Sequence, residues 1–254
     1  MKRIAICLAG NLRKYEQFQI EWMKISSNTN TDIFLSTWDF TGKKLGVTDP
    51  SHKSYHDYNY NDTIPYSIDF LKTRGFIDVE IEPFYPTFYE RFAEQIQPLW
   101  SYYRLSTPYD PYVESMKGMH REHMIAFLSM WYKRWKVFDL CNLYARTHNI
   151  TYDIVMMGRP DIVPRHIEYE SIVEDAINVR AGYDQEQDFD DHLAVGSFDL
   201  IREYSLLYPR FEYACRYWPV RVAENLHQPT GYLRIYLEQL NIPIHLHSPS
   251  TLNY

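Results

Sequence analysis

The sequence predicts an α/β protein, with a mixed and mainly parallel central sheet flanked by helices in one domain over residues 1–254. Three observations carry this. The chain opens on a continuous apolar run of strand length, Arg3-Ile-Ala-Ile-Cys-Leu8, of the kind covered on both faces. A helical stretch from Leu12 to about Lys24 and a second strand, Thr31–Trp38, follow at the spacing of a right-handed βαβ unit. And 254 residues that are 45% hydrophobic and 23% charged bury a sizeable core with no metal or disulfide staple.

The later elements follow from local pattern. Residues 40–66 carry Gly42, Gly46, Pro50 and Pro65 among Tyr, His, Asn and Asp, and read as a long loop of functional size. A helix near Ser67–Thr73 and a strand at Asp78–Ile81 come next. Pro83, Pro86, Pro98, Pro108 and Pro111 then leave room for one short helix near Phe88–Ile96. From about Arg121, the residues Met124, Phe127, Leu128, Trp131, Trp135, Phe138, Cys141 and Ala145 recur at three- and four-residue steps. Arg121, Lys133, Arg134, Lys136 and Asp139 lie mostly between them, which describes a long amphipathic helix with a core-facing stripe.

Tyr152–Gly158 reads as a buried strand and Ile162–Pro164 as a further extended piece. The acidic stretch 184–191 leads into a short strand, Leu193–Val195. Gly196-Ser197 caps a helix over Phe198–Leu207, and helices near Val220–Leu226 and Thr230–Leu240 precede a last strand, Ile242–His247.

Composition excludes several functions. Lys plus Arg number 26 against 33 Asp plus Glu, a net charge of −7, which argues against nucleic acid as a partner while leaving a local phosphate pocket open. Cys7, Cys141 and Cys215 lie far apart in no ligand-like spacing and read as buried small hydrophobes of a reducing compartment. The N-terminal apolar run is shorter than a secretory core and ends in Gly-Asn-Leu-Arg, so it reads as a strand. No stretch approaches a membrane span, and the expected location is the cytoplasm. Aromatic residues reach 17%, with 23 Tyr and 6 Trp; they either fill the core or offer flat faces for stacking on sugars and bases.

Ligands of open sheets built from βαβ units bind beyond the carboxyl ends of the strands, so the polar residues just past each apolar run are the candidates. Gly10 permits close backbone approach before a helix N-terminus, with Asn11 beside it and Arg13 placed for a bidentate phosphate contact. This turn lacks the further glycines of a dinucleotide loop and the Gly-Lys-Ser/Thr of a P-loop, and it reads equally as a plain strand-to-helix turn. Asp39 ends the second strand.

Arg159-Pro160-Asp161 is the sharper feature: a rigid proline holds a cation and a carboxylate around one turn. Asp161 can take a divalent cation that neutralises a departing diphosphate, Arg159 can do part of that without metal, or the two can form an internal ion pair that braces the turn. Asp190 and Asp191 are adjacent carboxylates suited to a general base, or else part of a solvated acidic loop. Glu224 is a further carboxylate on a helix, or else a solvated surface residue. His245 and His247 share a strand face at a spacing metals use, without a fixed third ligand. His120 and His123 lack the spacing of a zinc protease, and no Gly-x-Ser-x-Gly elbow appears.

Four pieces in order, Ile4-Ala-Ile-Cys-Leu-Ala-Gly-Asn-Leu-Arg13, Asp32-Ile-Phe-Leu-Ser-Thr-Trp-Asp39, Tyr152-Asp-Ile-Val-Met-Met-Gly-Arg-Pro-Asp161 and Asp191-His-Leu-Ala-Val-Gly-Ser197, carry a family resemblance. The chain resembles the glycosyltransferase-like proteins of viruses and bacteria that open with a Gly-Gln-Leu-Arg motif and carry a central Arg-x-Asp strand end. The resemblance implies a GT-A-type fold, with a nucleotide-sugar donor held by residues 1–165 and a glycan acceptor over residues 166–254. It implies nucleotide or diphosphate contacts from Gly10, Asn11, Arg13, Asp39, Arg159 and Asp161, and an acceptor side formed by Asp190, Asp191 and Glu224. Gly158-Arg-Pro-Asp161 then takes the place of the Asp-x-Asp motif that holds Mn²⁺ or Mg²⁺ with the diphosphate. Arg159 replaces the first Asp of that motif, so Asp161 is the one metal ligand the resemblance supplies. The implied function is transfer of a sugar from a nucleoside diphosphate sugar to a glycan. The alternative is a catalytically inactive carbohydrate- or nucleotide-sugar-binding protein on the same fold.

Overall fold

A computed structural model of the chain describes residues 2–12, 22–23, 30–40, 64–106, 111–162, 166–181, 189–211, 229–248 and 252–253, with the side chains of 98–106, 111–123, 166, 189–191, 229–232 and 253 outside that description. Its centre is a seven-stranded sheet. Four parallel strands come first: β1 (Arg3–Ala9), β2 (Asn30–Trp38), β3 (Phe76–Glu82) and β4 (Ile154–Gly158). Of the later strands, β5 (His166–Ile167) and β9 (Leu252–Asn253) form a separate antiparallel pair. β6 (Ile177–Ala181), β7 (Phe189–Gly196) and β8 (Ile244–His247) extend the main sheet to the order β3-β2-β1-β4-β7-β6-β8, in which β7 runs opposite to its neighbours. Strands from both the 1–165 and the 166–254 segments therefore share one sheet.

Alternation along β1 shows how the sheet is covered. Ile4, Ile6 and Leu8 join one apolar cluster with Leu12, Trp22, Ile33, Leu35, Met156 and Leu193. Ala5, Cys7 and Ala9 join the opposite cluster with Phe34, Trp38, Met157 and the helices. Successive strand side chains point to opposite faces, so a strand apolar at every position must be buried on both. The small residues of β1 face the long helix and let its bulky stripe settle on the sheet.

The helices are α1 (Ile68–Thr73), α2 (Thr87–Ser106), α3 (Pro111–His148), α4 (Phe198–Ser205) and α5 (Pro229–Gln239), and helical backbone recurs over 207–211. α3 has 38 residues and is roughly 57 Å long at 1.5 Å per residue. Its described stripe residues Met124, Leu128, Trp131, Phe138, Cys141 and Ala145 are buried, each large apolar side chain contributing about 1.5–3 kcal/mol by leaving water. Ser67 and Ser197 cap α1 and α4, accepting hydrogen bonds from the Phe70 and Leu200 amides as their positions demand.

Several expectations are corrected. α2 continues through Pro98 to Ser106 and does not stop near Ile96, because packing against α3 outweighs one missing N–H bond. α3 begins at Pro111 and not near Arg121: proline there is the first helical residue, where its fixed φ fits and no amide is missed. β7 starts inside the acidic stretch at Phe189 and is longer than Leu193–Val195. β6 was not legible, since Asn178 interrupts its apolar pattern. Asn178 is nevertheless fully buried, donating to the carbonyls of Val173, Ala176 and Val195 and accepting from the Val173 amide and His247 Nε2. Most of the helix expected over 12–24, most of the loop 40–66 and the helix near Val220–Leu226 lie outside the described residues. No described helix is long and apolar enough to cross a membrane.

Candidate functional site at the carboxyl edge of the sheet

The chain leaves β1 for β2 and β3 on one side and later returns to β4 on the other. β1 and β4 thus flank the switch point of the sheet, where crossovers diverge and leave a crevice beyond the carboxyl ends. Their register places the two predicted corners together. Leu8 pairs with Gly158, so Gly10–Asn11 and Arg159–Asp161 leave neighbouring strands, about 4.8 Å apart, at the same level. β7 completes the edge: Leu193 lies opposite Gly158 and the Arg159 amide donates to the His192 carbonyl at 3.2 Å. The backbone of Asp190 and Asp191 therefore passes beside the Arg159–Asp161 corner; their side chains lie outside the description.

Each residue has a local reason for its place. Gly10 has φ +118°, a conformation open to glycine, and among the described residues nothing lies within 4 Å of a Cβ built there. Its amide donates to the Ser36 carbonyl at 3.1 Å, tying the turn to β2. Asn11 has its Oδ1 shielded from solvent with no hydrogen-bond partner among the described residues, and the indole Nε1 of Trp22 is likewise buried with none among them. Such groups cost free energy unless a ligand or water satisfies them. Trp22 also explains Gly158. The indole Cη2 and the Leu193 Cδ1 would each lie 3.3 Å from a Cβ at that position.

Arg159 and Asp161 meet each other in a bidentate pair. Nε donates to Oδ1 at 2.8 Å and Nη2 to Oδ2 at 2.6 Å, with the Asp161 side chain 12% exposed and that of Arg159 26% exposed. The fork geometry holds the guanidinium plane at the strand end using two of its five N–H donors. Asp39 acts on the backbone: its amide donates to the Glu82 carbonyl at 2.9 Å and its Oδ1 accepts from the Phe84 amide at 3.1 Å, joining the ends of β2 and β3. Arg13 and Glu224 lie outside the described residues.

Two features were not legible in sequence. The indole of Trp22 under the Gly158 corner has no pattern that announces it. Lys133, expected between the stripe residues on the polar side of α3, is fully buried, as is nearly all of Arg134. The alternation Glu80-Val-Glu82 on β3 and the three-residue step from Lys133 to Lys136 were the available signals, since both pairs share a face. At the far end of the sheet, the rings of His245 and His247 lie 4.6 Å apart, with His247 Nε2 bonded to Asn178. Burial, followed by the neighbouring His245, holds His247 below the ordinary histidine range. Among the described residues no group of three metal-ligating side chains occurs. No protein-family model matches the chain, and no curated protein matches it.

Proposed function

We propose that this protein is a GT-A-type glycosyltransferase that moves a sugar from a nucleoside diphosphate donor to a glycan acceptor. The observation that carries the reading is the meeting of three strand ends, Gly10–Asn11, Arg159–Asp161 and Asp190–His192, at the switch point between β1 and β4. A strand-end corner carrying the Arg159 guanidinium suits a pyrophosphate, and among the described residues nothing lies within 4 Å of a Cβ built at Gly10.

In this reading Asn11 and Asp39 lie on the nucleotide side, with Arg13 alongside. Arg159, oriented by Asp161, stabilises the charge that builds on the leaving diphosphate. Asp191 or Asp190 takes the proton of the attacking acceptor hydroxyl, the C–O bond to the sugar forms, and the bond to the diphosphate oxygen breaks. Glu224 belongs to the acceptor side. Mn²⁺ or Mg²⁺ does not fit the described residues: both Asp161 oxygens face the Arg159 guanidinium, and a dication would have to enter beside that cation. The proposed chemistry therefore runs on arginine charge.

The same ion pair also favours the alternative, a catalytically inactive carbohydrate- or nucleotide-sugar-binding protein, because it occupies the carboxylate. Thermal-shift titration with UDP-, GDP- and dTDP-sugars, with and without Mn²⁺, tests the donor site. One of them should stabilise the protein without metal and be slowly hydrolysed without acceptor, and Asp161→Ala should remove both the shift and the hydrolysis. Binding without any hydrolysis selects the alternative, and no shift with any donor refutes both.

A further inference from the structure

Beneath the β2–β3 end of the site lies a charged cluster that the proposed chemistry does not use. Lys133 of α3, fully buried, places Nζ 2.6 Å from Glu82 Oε2, 3.7 Å from Glu80 Oε2 and 4.0 Å above the Trp38 ring. Lys136, one turn on, reaches Glu80 Oε1 at 2.9 Å. Tyr132 donates its hydroxyl to Glu82 Oε1 at 2.9 Å and stacks on Trp38 with the rings 15° from parallel. Arg91 of α2 and Tyr208 of the 207–211 segment approach the Tyr132 ring from outside.

Both glutamates are wired to the site. The Ser36 hydroxyl donates to Glu80 Oε2 at 2.8 Å, while the Ser36 carbonyl receives the Gly10 amide. The Glu82 carbonyl receives the Asp39 amide, and Trp38, which pairs with Glu82 across the strands, immediately precedes Asp39. We propose that Lys133 and Glu82 are positioning residues: a buried charge clamp from α3 fixes the ends of β2 and β3 and thereby holds Gly10 and Asp39 in place for the ligand.

Energetics supports placement over stability as the role. Burial pushes the Lys133 ammonium down to about 8 despite the attraction of Glu82 and Glu80, so the cation is a net burden where it sits. Burial alone would raise the Glu82 carboxyl, but the Lys133 charge and the hydrogen bonds from Lys133 and Tyr132 outweigh it and hold Glu82 low. Replacing such a pair by neutral groups of similar shape is often neutral or stabilising, and fixing one arrangement of the strands it joins is the role we assign to it.

The inference rests on the transferase reading only for the ligand, and its test separates the two. The variants are Lys133→Met, Glu82→Gln and the double variant, which keeps the shapes without leaving either charge alone if a single variant fails to fold. The double variant should match or exceed the wild-type urea midpoint. By NMR, its Gly10 and Asp39 amides should exchange at least tenfold faster while those of β6 and β7 keep their rates. The dissociation constant for whichever UDP-, GDP- or dTDP-sugar binds the wild type should rise at least tenfold. Unchanged exchange at Gly10 and Asp39, or a uniform loss of protection over the sheet, overturns the clamp. If no donor binds the wild type, the transferase reading falls and the exchange rates alone decide the clamp.

Discussion

Replacing Gly158 by alanine probes the corner on which the site is built. The added Cβ would sit 3.3 Å from Trp22 Cη2 and Leu193 Cδ1 and 3.5 Å from Trp22 Cζ2. Trp22 and Leu193 are each 1% exposed, so neither offers a loose end that swings aside. Overpacking of this kind costs about 1–3 kcal/mol. Against it stand about 0.8 kcal/mol from burying one methyl and about 0.4–1 kcal/mol from the stiffer unfolded chain. The net expectation is a loss of about 1 kcal/mol, or about 2–4 °C in Tm for a chain of this size. Trp22→Leu removes the ring, and on that background Gly158→Ala should become stabilising by about 1 kcal/mol. The coupling in the double-mutant cycle is then about 2 kcal/mol. Urea midpoints at constant m-value for the four proteins measure it. A coupling below about 0.5 kcal/mol would show that the indole does not dictate glycine here.

Three further outcomes are expected. Gly10→Ala meets no steric neighbour among the described residues but puts an L-residue at φ +118°, so it should lower stability by about 1–3 kcal/mol in chemical denaturation and weaken donor binding by calorimetry. Asn178→Ala strips partners from the buried carbonyls of Ala176 and Val195 and the part-buried one of Val173, and should cost about 3 kcal/mol, with loss of β8 amide protection before the rest of the sheet. Lys133 in the folded chain titrates at about 8 against its ordinary 10.5, so the unfolded chain binds more protons between those values. Stability should accordingly rise with pH through that window, by a ceiling of roughly 3 kcal/mol, and Lys133→Met should flatten the rise in urea midpoints taken from pH 7.5 to 10.5.

The residues that act locally were readable from the chain alone. A continuous apolar run marked β1 and the run before Gly158 marked β4, because a strand buried on both faces admits no alternation, and βαβ spacing marked β2. Ser197 before an apolar periodic segment marked the start of α4, and glycine at residue 10 marked a turn open to close backbone approach. The order of those strands with a crossover also implied an edge where strand ends gather. Beyond that range local pattern was silent. β6 carries a buried asparagine whose five partners come from β7, β8 and the turn before β6, so its burial follows from a completed hydrogen-bond set that no window of sequence contains. Proline at 98 and at 111 has the same meaning in isolation, yet one lies within a helix and the other opens one, as packing and position decide.

What the sequence by itself determined is the set of apolar faces and turn residues, since these depend on neighbours a few positions away and on side-chain period alone. What only the tertiary structure decided is which polar groups meet: Arg159 with Asp161 at the end of β4, Trp22 beneath Gly158, and Lys133 between Trp38 and Glu82. The reason is physical. A charge is tolerated in the interior only where partners from distant segments converge on it, and their convergence is a property of the folded sheet.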